Sequence, residues 1–351
     1  MNKVFNVASL FAGVGGICLG MKNAKYRNSI FDIKWANEID HYANTTYKAN
    51  FNHPLLEGDI KSLLNPSNNI KNQEYYENLN NYIKTINIDV LNGGFPCQAF
   101  SIAGERKGFN DERGNLFWNI IEMIKLLNNP RIVFLENVKG LKTHDNGKTF
   151  SIIESELKNL NYTIKTQVIN TMDYSNLPQT RERIYIVCFK NETDTNKFKL
   201  FDELYKYKNS ESKIELTKQI INIDEKVAEK YYYTKDKYPK YFKNKISLED
   251  EINQYYQYYQ IRRGMYIRKN KNNVCPTLTA NMGTGGHNVP LIKDKFGIRK
   301  LTPLETFKLQ GFPINYILPV SDANLYKQVG NAVSIPIITL ISNELLKVLS
   351  D

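Results

Sequence analysis

Over its first 190 residues this chain alternates short, apolar, β-rich runs with segments of helical periodicity, and that alternation restricts the fold more than any other feature. Val4–Leu10, Ile33–Glu38, Ile88–Asn92, Ile132–Glu136 and Ile184–Phe189 are mostly continuous apolar runs. Strands look like this when both faces of a parallel sheet are covered. Between them, Asn115–Leu127 and Lys148–Leu160 space their apolar residues helically, with Phe117, Ile120, Ile121, Ile124 and Leu127 on one face. Strand–helix alternation predicts an α/β domain with a mostly parallel sheet. Residues 191–250 are polar, charged and tyrosine-rich with weak periodicity, and read as the start of a second domain or a long insertion. An organised segment resumes from Arg299 to Pro313, and Val333–Leu349 reads as a terminal helix. The expected division is a domain over 1–190 completed by 328–351, with a smaller, irregular, β-rich domain over 191–327.

A length of 351 residues suits about two domains, and 42% hydrophobic content excludes a disordered chain. The apolar run Val333–Ile341 falls short of the ~20 residues of a membrane span. Asn6, Ser9 and the glycines from Gly13 onward interrupt any signal-peptide pattern. Cys18, Cys97, Cys188 and Cys275 lie far apart with no C-x-x-C pair. That spacing argues against a metal site or disulfides and for the cytoplasm. The net charge of +11 is unevenly distributed: residues 252–300 hold nine basic side chains and one acidic, Asp294. There Arg262, Arg263, Arg268, Lys269 and Lys271 interleave with Tyr255, Tyr256, Tyr258, Tyr259 and Tyr266. The mixture suits a polyanion with stackable bases, a solvated lysine-rich surface being the plainer alternative.

Phe11 to Gly16, sequence FAGVGG, follows the first strand directly, and Glu38 ends the second strand 22 residues after Gly16. Glycines let the backbone turn tightly at a ligand, and an acid about 20 residues on commonly accepts from ribose hydroxyls. Gly58-Asp59-Ile60 places a carboxylate that suits an adenine amine or, equally, a turn. The strand Ile88–Asn92 runs into Gly93-Gly94-Phe95-Pro96-Cys97-Gln98. In open α/β sheets function gathers at such carboxyl ends. The loop 99–115 carries Ser101, Arg106, Lys107 and Arg113 among glycines, which fits a lid closing over phosphates or an ordinary surface loop. Glu136 terminates another apolar strand, where a carboxylate is costly to bury unless partnered or protonated. Arg181 and Arg183, two apart, are expected on one face of a further strand, with an ion-pair network through Glu182 as the alternative.

Taken in order, FAGVGG, Glu38, GDI, GGFPCQAFS, ENVKG, QTRERIYIV, RKLTPLETFKLQGFP and QVGNAV resemble the bacterial DNA (cytosine-5)-methyltransferases over most of the chain, from Phe11 to Val333. The resemblance implies a Rossmann-like, S-adenosylmethionine-dependent methyltransferase fold, with 191–327 as the target-recognition domain. It implies that S-adenosylmethionine is held by Phe11, Gly13, Gly15, Gly16, Glu38, Ile39, Asp59, Ile60 and Asn331. Ile39 stands where a larger residue often follows the ribose-binding acid, and Ala103 replaces a serine seen in some members. It further implies Cys97 as nucleophile, Glu136 as acid, and Arg181 and Arg183 as holders of the pyrimidine. Duplex DNA would be contacted by Ser101, Arg106, Lys107 and Arg113 of the loop. In the variable region the contacts would come from Gln260, Arg262, Arg263, Thr277, Thr279 and Asn281. No metal is implied, and no residue is identified as the general base. The expected protein is a bacterial, cytoplasmic, nucleoid-associated monomer paired with a restriction endonuclease that acts on the same site without stable binding. An RNA-directed cytosine-5 enzyme of the same fold, and a nucleoside-binding oxidoreductase or a catalytically silent DNA-binding protein, are the competing readings, and the long basic variable region argues against RNA.

Overall fold

A computed structural model describes residues 3–95, 116–242, 247–262, 266–284 and 288–351. The apolar runs of the first half become β1 (Lys3–Leu10), β2 (Ser29–Glu38), β4 (Val90–Gly94), β5 (Ile132–Val138) and β7 (Glu182–Phe189). Two further strands, β3 (Leu55–Glu57) and β6 (Thr163–Asn170), complete a seven-stranded sheet of order β3-β2-β1-β4-β5-β7-β6. β1 pairs in parallel with β2 and β4, β2 with β3, and β4 with β5, whereas β7 runs antiparallel to β5. The additional strands lack the apolar signature for a physical reason. β3 has only three residues, and β6 is half-buried along most of its length at the sheet edge.

Six helices lie between the strands, and the periodicity predicts the fifth and sixth of them. They are α1 (Gly16–Lys22), α2 (His41–Asn50), α3 (Ile60–Leu64), α4 (Gln73–Lys84), α5 (Leu116–Leu126) and α6 (Lys148–Asn159). Phe117, Ile120, Ile121 and Ile124 of α5 and Phe150, Ile153 and Leu157 of α6 share a core with Leu91, Val133, Leu135, Ile184 and Ile186. Each such fully buried side chain contributes roughly 1.5–3 kcal/mol. From β1 the chain steps outward through β2 and β3, then crosses back to β4 on the other flank of β1. In open α/β sheets ligands bind where the strand order reverses, at the carboxyl ends of the strands, here β1 and β4.

By its contacts the chain forms two compact units, Met1–Ile169 with Glu182–Lys206 and Ile337–Asp351, and Asn170–Arg181 with Tyr207–Pro336. The helical stretch Asp322–Ser350 is long and apolar enough to cross a membrane, but most of it is buried, as in a core helix. In the first unit the αL residue Gly15 (φ 79°) caps α1. A Cβ on it would lie 2.2 Å from the ring of Phe51. Next to that contact the Tyr47 hydroxyl sits 3.1 Å from Cys18 Sγ and 2.5 Å from His53 Nε2. Burial, then the nearby charge of Lys22, lowers the His53 pKa to about 4.

The second unit carries an antiparallel sheet of order β11-β10-β8-β9, built from β8 (Tyr259–Arg262), β9 (Tyr266–Lys269), β10 (Leu291–Asp294) and β11 (Gly297–Lys300). Its helices include α7 (Pro303–Lys308) and α8 (Asp322–Asn331). Fully buried Arg299 joins sheet to helix. Its Nε lies 2.6 Å from Asp294 and its terminal nitrogens lie 2.8 Å from each oxygen of Glu305. Glu305 also closes the capping box of α7 with Thr302, and the Tyr232 hydroxyl donates to Asp294. Each charge in this buried set therefore has a partner, without which burial would cost about 3–5 kcal/mol. At Gly330, α8 presses against the chain at Thr279 and Ala280, whose backbone lies 2.1 and 2.2 Å from where a Cβ would stand.

Two stability predictions follow from these contacts. Gly330→Ala forces a side chain into backbone and should cost about 3 kcal/mol in urea unfolding, at the upper end for overpacking. The unfolded chain protonates His53 near the usual histidine value, while the folded chain resists protonation until about pH 4. Stability should thus fall as pH drops from about 6.5 towards 4. His53→Asn should flatten that part of the profile measured by thermal unfolding.

Candidate active site

At the carboxyl end of β1 the chain leaves the sheet through Phe11, whose φ of 52° is uncommon for a side chain of this size. Gly13 follows with φ 55°, and its N–H donates to Glu38 Oε2 at 2.7 Å. Glu38 Oε1 accepts from Ile39 N–H and Asp40 N–H, both at 2.8 Å. Three backbone donors therefore lock a buried carboxylate at the end of β2, and Oε2 keeps a lone pair for a further donor. A Cβ on Gly13 would meet nothing within 4 Å, so the space over this turn is open. Ile39 beside it is 64% exposed, an apolar surface next to a fixed acid. Asp59 caps α3 by accepting from Lys61 N–H, whereas the Ile60 side chain is buried in the core and offers this site only its backbone.

A second cluster stands two strands away. Register places Gly94 of β4 opposite Glu136 of β5, and a Cβ on Gly94 would lie 3.3 Å from Glu136 Oε2. Arg183 Nε lies 3.1 Å from Glu136 Oε1, a pair with little solvent access on either side. A buried carboxylate is tolerable here because the guanidinium offsets its desolvation. Asn137 donates from Nδ2 to the Phe95 carbonyl at 2.9 Å and accepts from Val138 N–H through Oδ1. It thereby ties the end of β5 to the residue two before Cys97. Asn137 has no assigned role in the sequence reading, although its place in Glu-Asn-Val is the signal that marks it. Glu182 pairs with Lys139 at 2.9 Å.

Of the two arginines only Arg183 lies within a strand. β7 begins at Glu182, so Arg181 precedes the strand. The buried Arg181 guanidinium donates to the carbonyls of Leu278 (2.9 Å), Gly330 (3.3 Å) and Ala332. Gln179, equally buried, donates to Leu309 carbonyl at 2.7 Å and accepts from Leu278 N–H at 3.3 Å. Sequence reasoning assigns Gln179 no role, yet with Arg181 it holds the backbone around Leu278 and the end of α8. Asn331, exposed, is the last residue of α8. The Thr277 hydroxyl donates to Thr180 carbonyl and the Thr279 hydroxyl to Asn281 Oδ1, each at 2.5 Å. Gln260 is half-buried on β8, and Arg262 is exposed at its end. Cys97, Ser101, Arg106, Lys107, Arg113 and Arg263 lie outside the described residues. The three cysteines within them, Cys18, Cys188 and Cys275, are buried, and desolvation raises each thiol pKa.

Comparison with known proteins identifies the family. The sequence pattern of the C-5 cytosine-specific DNA methylases matches residues 5–347. The chain is 45% identical to the type II methyltransferase M.Bsp6I of Bacillus sp. (strain RFL6), covering 98% of this chain and 99% of that protein. It is 34% identical to M.HpaII of Haemophilus parainfluenzae, over 100% of this chain and 92% of the other. Solved structures of Dnmt2 from S. pombe and DNMT2 from Spodoptera frugiperda share the fold. Their TM-scores are 0.67 and 0.66 at 16% and 21% identity, each covering 99% of this chain and 100% of the other. With a mostly parallel sheet whose strand order reverses at β1 and β4, a glycine turn locked to an acid, and family similarity over residues 5–347, this chain belongs to the C-5 cytosine-specific DNA methylase family.

Proposed function

We propose that this protein transfers the methyl group of S-adenosylmethionine to C5 of a cytosine within a short duplex sequence, as the modification enzyme of a type II restriction-modification system. The observation that carries the mechanism is the Glu136–Arg183 pair set directly against Gly94, three residues before Cys97. The similarity to M.Bsp6I over nearly both full lengths supports the biological role.

The first cluster fits a nucleoside cofactor. Glu38 offers a fixed acceptor to a ribose hydroxyl, the open space at Gly13 admits the ligand close to backbone, and exposed Ile39 supplies an apolar face for the base. Phe11, Gly15, Gly16, Asp59, the Ile60 backbone and Asn331 complete the proposed set. When bound, S-adenosylmethionine supplies an electrophilic methyl group on a sulfonium centre.

Cytosine C5 is too weak a nucleophile to take that methyl group unaided. The Cys97 thiolate adds to C6, and Glu136, taking up a proton in the dehydrated pocket, delivers it to N3, which neutralises the charge pushed onto the ring. Arg183 holds the Glu136 carboxyl and the edge of the pyrimidine, and the family resemblance supports Arg181 as a second holder of the base. C5, now enamine-like, would take the methyl group as its bond to the sulfonium sulfur breaks, with S-adenosylhomocysteine as the leaving product. Loss of the C5 proton to a base or water then expels Cys97 as thiolate, and the N3 proton returns to Glu136. None of these groups reaches C6 inside a duplex, so the base must leave the stack at a cost of a few kcal/mol. Phosphate contacts from Arg106, Lys107 and Arg113 offset this and make binding steeply salt-dependent. The DNA-facing surface of the target-recognition domain lies within the basic residues 252–300. The enzyme is proposed to act as a monomer in the cytoplasm and to meet its endonuclease only through the shared site.

Labelled methyl transfer to duplex DNA and to tRNA tests the assignment. Label is expected in DNA alone, and label in tRNA alone would overturn it. Cys97→Ala should abolish transfer while leaving duplex binding intact. DNA with 5-fluorocytosine at the target should trap a covalent complex, because fluorine does not depart as a cation. Gly13→Ala should reduce S-adenosylmethionine affinity at least tenfold by calorimetry. Its cost in stability should be only about 1–2 kcal/mol, for an alanine held in the left-handed region.

A further inference from the structure

The hairpin β8–β9 pairs Tyr259 with Lys269, Gln260 with Arg268, Ile261 with Ile267 and Arg262 with Tyr266. Side chains alternate across a strand, so the hairpin divides into two faces. Tyr259, Ile261 and Ile267 pack into a core with Tyr241, Leu248, Leu291 and Ile298. The opposite face presents two cross-strand ranks, Gln260 with Arg268 and Arg262 with Tyr266. Arg262, Tyr266 and Arg268 are exposed, Tyr266 to 55%.

This face is electrostatically uncompensated. Among the described residues neither Arg262 nor Arg268 has a carboxylate partner, although seventeen ion pairs occur elsewhere. The only acid in 252–300, Asp294, is buried and bound to Arg299 and Tyr232. β9 is an edge strand, and charges there also deter strand pairing between molecules. Protection alone does not account for an exposed Tyr266 in register with Arg262, nor for an amide in register with Arg268. Guanidinium, amide and phenol groups projecting from one face of a two-stranded ribbon match base edges in a major groove, which admits such a ribbon.

Building on the proposed action on duplex DNA, we propose that this face is a base-reading ribbon, with Arg262 and Arg268 as specificity-determining residues and Tyr266 and Gln260 as their cross-strand companions. Each arginine forks onto O6 and N7 of a guanine. Successive same-face residues of a strand are about 6.6 Å apart, twice the base-pair rise of about 3.4 Å. With its strands along the groove, the ribbon reads two positions separated by one base pair that it leaves unread.

The test uses the full-length protein and a randomised duplex library, with methylated products identified by bisulfite sequencing. Arg268→Ala and Arg262→Ala should each lower kcat/KM at the preferred sequence by about 5- to 150-fold and relax base preference at one position. The two relaxed positions should lie two base pairs apart. Arg268→Lys, which keeps the charge but loses the fork, should relax the same position while keeping the salt dependence of binding. All three changes are at exposed side chains, and unchanged thermal unfolding verifies folding. Weakening that is uniform across sequences, with a shallower salt slope, would identify phosphate contacts and overturn the inference, as would unaltered preference. Wild-type protein that methylates no duplex would instead overturn the proposed function itself.

Discussion

The capture of backbone donors at the carboxyl edge of the parallel sheet is the constraint on which the first unit depends. A parallel strand that ends beside its neighbours leaves peptide groups without ladder partners, and burying them unpaired is costly. Glu38 solves this for β1 and β2 by accepting from Gly13, Ile39 and Asp40 at once. Asn137 does the same for β4 and β5 by donating to Phe95 and accepting from Val138. The groups that stabilise the edge also shape it. Glu38 is held rigid with acceptor capacity to spare, and the chain entering residue 96 is anchored where the proposed nucleophile follows.

The second unit uses buried guanidinium groups in place of strand edges. Arg299 neutralises Asp294 and Glu305 between sheet and α7, while Arg181 satisfies three carbonyls around Leu278 and the end of α8. A planar fork with five donors suits both tasks, which a lysine would serve poorly. Arg181 therefore sets the backbone of the segment bearing Thr277 and Thr279 together with that of Gly330, one residue before Asn331.

Legibility in the sequence followed the strength of the local signal. Continuous apolar runs identified five strands within a few residues of their ends, because burial on both faces demands them. β3 and β6 escaped for want of length or burial. Glu38 and the glycine turn were legible because their spacing is local. The contacts of Arg181 were not, since they depend on carbonyls about 100 to 150 residues away. The same holds for the ribbon: interleaved arginine and tyrosine are visible in the chain, but only strand register sets Gln260 against Arg268 and Arg262 against Tyr266.

Composition and pattern alone established an α/β catalytic core, the ordered motifs of a cytosine-5 methylase and the concentration of positive charge in 252–300. These follow from periodicity, residue type and short spacing, which a linear string preserves. Tertiary structure alone decided which groups meet: Glu136 with Arg183, Asn137 with Phe95, and Arg181 with three distant carbonyls. Such pairings arise when strand order and register bring remote residues within about 3 Å, and directional polar contacts form only at that range.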